Sequence, residues 1–203
     1  MITLRFSFPE IRPLMKQSWG LGWPIVFIMF FHLAIGLTDV YVAGYLGTDV
    51  LAAVGYVSQV YWTLQILANG ITVGTVSMVS QAYSAKAFDG VGNITSHSLF
   101  MALGIAGALT VAAGLYPGAI VRLTGMPSEI QSIAEAFVRI YSLVLIPSYV
   151  VFVTAGVLRS SDRVQIAMVT AFISAAANVV GDFVLAFGWG PIPALGYRGI
   201  AWS

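Results

Sequence analysis

The chain of 203 residues contains no cysteine. Disulfides, thiolate metal sites and cysteine nucleophiles are therefore excluded. Charge is scarce as well. Nine Lys+Arg and eight Asp+Glu make up 8% of the residues, against roughly 25% in a soluble domain. So few charges cannot coat a globule of this size. The formal net charge of +1 leaves no basic footprint for nucleic acid. With two histidines there is no His cluster to hold a metal. Strands that alternate apolar and polar residues, the signature of a membrane barrel, are missing. No phosphate loop occurs, and no Ser/His/Asp set lies outside the apolar runs. The sequence predicts no enzyme, no catalytic residue and no cofactor.

What is present is apolar. Hydrophobic residues make up 59% of the chain, and the mean hydropathy is +0.90. An all-α polytopic membrane protein follows. A hydrocarbon core of about 30 Å needs roughly 20 apolar residues per helix, and every backbone N–H in lipid must be satisfied within its own segment. Charges and turn residues cut the chain into five spans, at about 21–45, 50–85, 94–116, 130–158 and 164–187. A sixth apolar run starts near Gly199 and is cut off at Ser203. The connections are short, so neighbouring spans run antiparallel. Residues 1–18 read as a surface segment broken by Pro9 and Pro13, and 19–203 as the transmembrane part.

Orientation follows from the positive-inside rule. With the N-terminus in the cytoplasm, Arg5, Arg12, Lys16, Lys86, Arg159 and Arg163 are inside, and only Arg122 and Arg198 are outside. No cleavable signal is apparent, because charges interrupt the start before any apolar run.

An ionisable group inside a span is costly and points to function. Asp39 and Asp182 each lie eighteen residues beyond the inner end of their spans, the first and the fifth. These two spans run the same way. At about 1.5 Å per residue, both acids sit roughly 27 Å along their helices. If the two helices are neighbours, the acids meet. In the fifth span Thr170, Ser174, Asn178 and Asp182 recur at steps of four and form a stripe on one face. It ends in an amide and a carboxylate one turn apart. These groups could supply oxygen ligands for a hard cation such as Na⁺. Nearby carboxylates also titrate as a pair, so the same acids could relay a proton. The plainer alternative is a hydrogen-bond cluster that ties the two helices together.

In the second span Tyr61, Gln65, Asn69 and Thr72 form a polar wall, either along a substrate path or between helices. Gly70 and Gly74 mark close packing. Glu135 and Arg139, one turn apart in the fourth span, are placed to neutralise each other. His32 shares a face with Asp39, where it is either packed or a proton relay. Pro24 and Pro147 each remove a helical hydrogen bond and invite a kink.

Several of these features together resemble one family. Pro24, Asp39, Gly44-Tyr45-Leu46-Gly47 and Leu51-Ala52-Ala53-Val54 resemble the first helix and loop of multidrug and toxic compound extrusion (MATE) transporters. Gln81-Ala82, Leu158-Arg159 and Asn178-Val179-Val180-Gly181-Asp182 resemble the ends of their second and fourth helices and their fifth helix. The resemblance spans about residues 14–203. It implies the N-terminal lobe of a fold of two six-helix bundles with a cavity between them. It implies export of drugs and other amphipathic, often cationic compounds in exchange for Na⁺ or H⁺ by alternating access. The lobe's cation site maps onto Asp39, Asn178 and Asp182, and Pro24 onto the proline around which helix 1 bends. A threonine of the sixth helix that often joins the site falls just past Ser203. The loop Arg159-Ser160-Ser161-Asp162-Arg163 departs from the family's glycine and proline usage.

The expected partners are a small-molecule substrate, the lipid bilayer and a missing C-terminal lobe, and the chain is expected to be a truncation or partial sequence. The expected location is the inner or plasma membrane of a bacterium or archaeon. Two rivals stand beside this reading. One is a lipid-linked precursor flippase of the same superfamily, which would tend to carry several intramembrane cations. The other is a non-transporting membrane anchor or assembly subunit, which needs no paired acids.

Overall fold

A computed structural model describes residues 8–203. The chain folds as helix α1 (Phe8–Leu46), α2 (Thr48–Ser84), α3 (Phe88–Leu115), a short α4 (Pro117–Leu123), a 3₁₀ turn (Ser128–Ile130), α5 (Gln131–Ser160), α6 (Val164–Phe187) and a short α7 (Tyr197–Trp202). Among the described residues the only strand-like pairing is one isolated bridge, Trp189 with Ile192. Five helices are long and apolar enough to cross a membrane: α1, α2, α3, α5 and α6. These are the five expected spans.

Three details differ from the sequence reading. First, α1 begins at Phe8 and passes through Pro13 and Pro24. Pro9 lies in the first turn, where its missing N–H costs nothing. The expected break at Pro9 and Pro13 therefore does not occur; residues 1–7 lie outside the described residues. Second, the stretch after α3 is not a plain loop. Pro117 opens α4, and the 3₁₀ turn leads directly into α5. Third, Gly70 and Gly74 do not mark a close contact, since a Cβ on either would meet nothing within 4 Å. The close approach is at Gly156 of α5 instead. A Cβ there would come within 2.6 Å of Thr72 Cγ2 and 3.2 Å of Val76 Cγ2.

The connections Gly47, 85–87 and 161–163 are so short that consecutive helices run antiparallel. The bundle has two ends. The N-terminal end carries the start of α1, the α2–α3 loop and the α5–α6 loop. The far end carries Gly47, α4 and α7. One apolar cluster gathers Val42, Val54, Phe137, Ala186 and Ile200 at the far end. A second joins α2, α3 and α5 through Ala68, Ala106, Leu145 and Tyr149. Alanine and valine make up most of these seams. Lipid offers no hydrophobic drive between helices, so close van der Waals contact must hold them. Phe30, Leu33 and Leu37 of α1 remain exposed, as expected of side chains that face lipid.

Candidate functional site

The site is built where α1 and α6 pack side by side. Phe31 stacks against Phe172 with ring centroids 5.4 Å apart, and Tyr41 against Phe183 at 6.4 Å. These two pairs fix a parallel register that sets Asp39 level with Val180 and Gly181, next to Asp182. The two carboxyls are neighbours, as their matched depth allows once α1 and α6 pack together. Asp182 is wholly buried, at 0% exposure. Asp39 and Asn178 are half-buried.

Each of the three residues carries a buried oxygen without a hydrogen-bond partner: Asp39 Oδ1, Asn178 Oδ1 and Asp182 Oδ2. Buried polar groups normally find partners. Here three orphaned acceptors collect in one place, and what they lack is a donor or a positive charge. A proton or a hard cation meets that need; a soft metal does not. Among the described residues no group of three or more His, Cys, Asp or Glu could hold a metal ion. The oxygen set is thus limited to two carboxylates, an amide and one hydroxyl.

The hydroxyl is Ser203. Its Oγ accepts from Asn178 Nδ2 at 3.3 Å and lies within donating distance of Asp182 Oδ1 and of the Ile200 carbonyl. Sequence reasoning missed it, because the sixth apolar run had barely begun. Two glycines bring it in. A Cβ on Gly199 would collide with the backbone of Leu185 and Ala186, and one on Gly181 would lie 3.0 Å from Ser203 Cβ. The loop before α7 is tied back to α6 by Leu195 N–H to the Leu185 carbonyl (2.8 Å) and Gly196 N–H to the Ala186 carbonyl (3.1 Å).

Tyr141 was also not singled out. Its ring lies tilted against Tyr61 (5.3 Å) and edge-on to Phe137 (5.8 Å), and Phe137 lies 6.0 Å from Tyr197. This file of rings links α2, α5 and the start of α7.

The remaining candidates disperse. Thr170 and Ser174 share the stripe with Asn178 but line a separate cleft between α1, α5 and α6, together with His32. Tyr61 Oη shares a 2.8 Å hydrogen bond with Ser148 Oγ of α5. Gln65 is buried at 5% exposure, and its Oε1 has no partner. Thr72 Oγ1 donates to the Ala68 carbonyl at 2.8 Å and packs on α5. Asn69 is exposed. The α2 wall therefore serves mainly as the seam to α5. Pro24 is fully buried within α1. Glu135 does not reach Arg139, since among the described residues no ion pair within 4.0 Å occurs. Its carboxylate lies instead against Gly118 of α4.

Known proteins resemble this chain in sequence and in fold. The profile of a family described as MatE matches residues 24–184. A probable multidrug resistance protein NorM of Rhizobium meliloti is 28% identical over 186 residues, which cover 92% of this chain and 40% of that protein. The structure superposes on a MOP superfamily transporter of Pyrococcus furiosus with a TM-score of 0.83 and 25% identity, over 92% of this chain and 40% of the other. An outward-facing multidrug resistance MATE family transporter gives the same TM-score and identity, over 92% and 41%. The chain spans about two fifths of the length of the relatives it matches.

Proposed function

The chain belongs to the MatE family, and from that premise we propose that it is the N-terminal lobe of a cation-coupled exporter of amphipathic, often cationic compounds. The observation that carries this reading is the triple of orphaned oxygens on Asp39, Asn178 and Asp182. In the proposed cycle these oxygens and Ser203 Oγ hold Na⁺ or a proton. Loss of the ion leaves two carboxylates side by side in a low-dielectric site, and their repulsion favours a different packing of α1 on α6. An ion can bias such a switch only through different affinities for the two states. Pro24 removes one hydrogen bond from α1 and gives the helix a place to bend. A second lobe completes the substrate cavity in this reading. The N-terminus faces the cytoplasm of a bacterium or archaeon.

The flippase rival receives no support from the site, where among the described residues the groups that carry charge are the carboxyls of Asp39 and Asp182. The anchor rival does not account for three unpartnered oxygens. Two measurements test the proposal. Calorimetric titration of the purified chain with NaCl at neutral pH should show saturable binding that Asp182→Asn abolishes. In a full-length transporter that carries this lobe, Asp39→Asn should stop dye export. Export at the wild-type rate in that variant overturns the coupling assignment.

A further inference from the structure

Helices α2, α3 and α5 are cross-tied along their length. Tyr61 Oη shares a 2.8 Å hydrogen bond with Ser148 Oγ, and Tyr149 Oη donates to the Leu64 carbonyl at 2.7 Å. Thr75 Oγ1 and Ser98 Oγ lie 2.8 Å apart, and Thr110 Oγ1 donates to the Ser142 carbonyl at 2.7 Å. The candidate cation site belongs to a second set. Ser203 at the end of α7 contacts Asn178 and Asp182 of α6, and the loop before α7 is bonded to the α6 backbone. Among the described residues no side-chain hydrogen bond joins the two sets. One ring pair does: Phe137 of α5 and Tyr197 of α7, with centroids 6.0 Å apart and planes inclined by 38°. Phe137 is only 1% exposed. The Arg198 guanidinium lies 5.9 Å from the centre of the Tyr197 ring.

The short helix α7 has the geometry of a lever. Tyr197 opens it and Ser203 follows its last residue. Between them Gly199 rests on α6, where a Cβ would lie 2.4 Å from the Leu185 carbonyl carbon and 2.5 Å from the Ala186 nitrogen. So close a backbone contact makes Gly199 the pivot. Tyr197 lies two residues before it and Ser203 four after it, about 3 Å and 6 Å along a helix. A tilt that shifts Tyr197 therefore moves Ser203 about twice as far, in the opposite sense. Ile200 and Ala201 are buried in the far-end cluster, but they lie beside the pivot and control its tilt least. The ring of Phe137 is enclosed by a close-packed core that yields little. Hydrogen bonds weaken beyond a distance of about 3.2 Å, so a small tilt is enough to detach Ser203 Oγ from its partners.

We propose that Phe137 is a positioning residue for the cation site: through Tyr197 it sets the tilt of α7 on Gly199 and so holds Ser203 Oγ against Asp182 and Asn178. Phe137 touches none of the site's oxygens. It makes the cross-tied unit of α2, α3 and α5 the reference against which the Ser203 hydroxyl is placed. The proposal rests on the reading of Asp39, Asn178, Asp182 and Ser203 as a cation site.

Calorimetric titration of the purified chain with NaCl tests it. Phe137→Ala should weaken Na⁺ binding by roughly three- to tenfold, the size of one aromatic pair. Tyr197→Ala should match it, while Tyr197→Phe keeps the ring and should bind as the wild type does. In a Ser203→Ala background Phe137→Ala should weaken binding no further, because its effect runs through that hydroxyl. Leu145→Ala, an equally buried α5 position in the cluster with α2 and α3, should lower the unfolding midpoint and leave Na⁺ affinity unchanged. If Phe137→Ala does not fold, the two Tyr197 variants carry the same test. Wild-type affinity in Phe137→Ala or Tyr197→Ala, a further loss in the Ser203→Ala background, or an equal loss in Leu145→Ala overturns the proposal. If the wild type itself binds no Na⁺, the reading of the site as a Na⁺ site fails on its own, and amide hydrogen exchange decides the positioning role. Phe137→Ala should then speed exchange at Gly196 and Ser203, whose N–H groups are bonded to the Ala186 and Gly199 carbonyls. Unchanged exchange at both amides overturns it.

Discussion

Ser203 Oγ sits against Asp182 Oδ1 and within 3.3 Å of Asn178 Nδ2. One hydroxyl from α7 therefore uses the oxygen of Asp182 that faces it and leaves Oδ2 unpartnered. It also orients the amide of Asn178. With Nδ2 directed at Ser203, Oδ1 of Asn178 is left for another ligand. The hydroxyl thus sets which oxygens remain available.

Ser203→Ala should consequently do two things. It removes the partner of a buried carboxylate, which costs about 1–3 kcal/mol. Thermal unfolding of the purified chain should show that loss. It also frees the Asn178 amide to rotate, so Na⁺ affinity measured by calorimetry should fall. Ser203→Thr keeps the hydroxyl and should retain most of both properties. Wild-type stability and affinity in Ser203→Ala would show that the contact carries no energy.

Gly199 supplies a test without touching any polar atom. A side chain there meets the backbone of Leu185 and Ala186, which cannot move aside without disturbing α6. Gly199→Val should push α7 off α6, separate Ser203 from Asp182 and cost roughly 1–3 kcal/mol through overpacking. The Na⁺ affinity should drop as far as in Ser203→Ala. Combining the two changes should weaken binding little further, because both break the same contact.

Competition between proton and cation at the acid pair has a definite sign. A proton on either carboxyl removes the charge that Na⁺ requires, so apparent Na⁺ affinity falls as pH falls. The slope is at most about tenfold per pH unit for one proton displaced per ion. Calorimetry in buffers of different ionisation enthalpy counts the protons released on binding. Asp39→Asn should reduce the release and flatten the pH dependence to what Asp182 alone supplies. A Na⁺ affinity that does not change between pH 5 and 8 would contradict the shared use of these acids.

The acid pair was legible in the sequence because depth along a helix is counted in residues and spans alternate in direction. Asp39 and Asp182 needed only those two facts, together with the neighbour relation of α1 and α6 that the structure supplies. Ser203 was not legible, because its position depends on the turn from Gly188 to Gly196 folding back on α6. No count along the chain contains that turn. Thr170 and Ser174 share the stripe with Asp182, yet α5 bounds them on one side and they line another cleft. The proline-based break failed because Pro9 falls in the first turn of α1, and Pro13 is carried by a helix that forms around it. The pairing of Glu135 with Arg139 was correct in spacing but not in direction, since α4 sits where the Glu135 side chain goes.

The glycines of α2 and α5 provide the last test, one that separates a motif from a contact. Gly70 and Gly74 have the spacing of a packing motif, but open space lies over both. Gly156 has no second glycine at that spacing, yet Thr72 Cγ2 and Val76 Cγ2 crowd it. The spacing of small residues says that two backbones can approach closely, while the actual partner decides which glycine is used. Gly70→Ala and Gly74→Ala should therefore leave the unfolding midpoint unchanged or raise it slightly, because Ala is the better helix former by roughly 1 kcal/mol. Gly156→Val should destabilise the α2–α5 seam by about 1–3 kcal/mol. Thr72→Ser removes the crowding methyl and should recover part of that loss in the double variant. Midpoints from thermal unfolding of the four variants in one detergent decide it. A larger effect at Gly70 or Gly74 than at Gly156 would show that α2 packs through its other face.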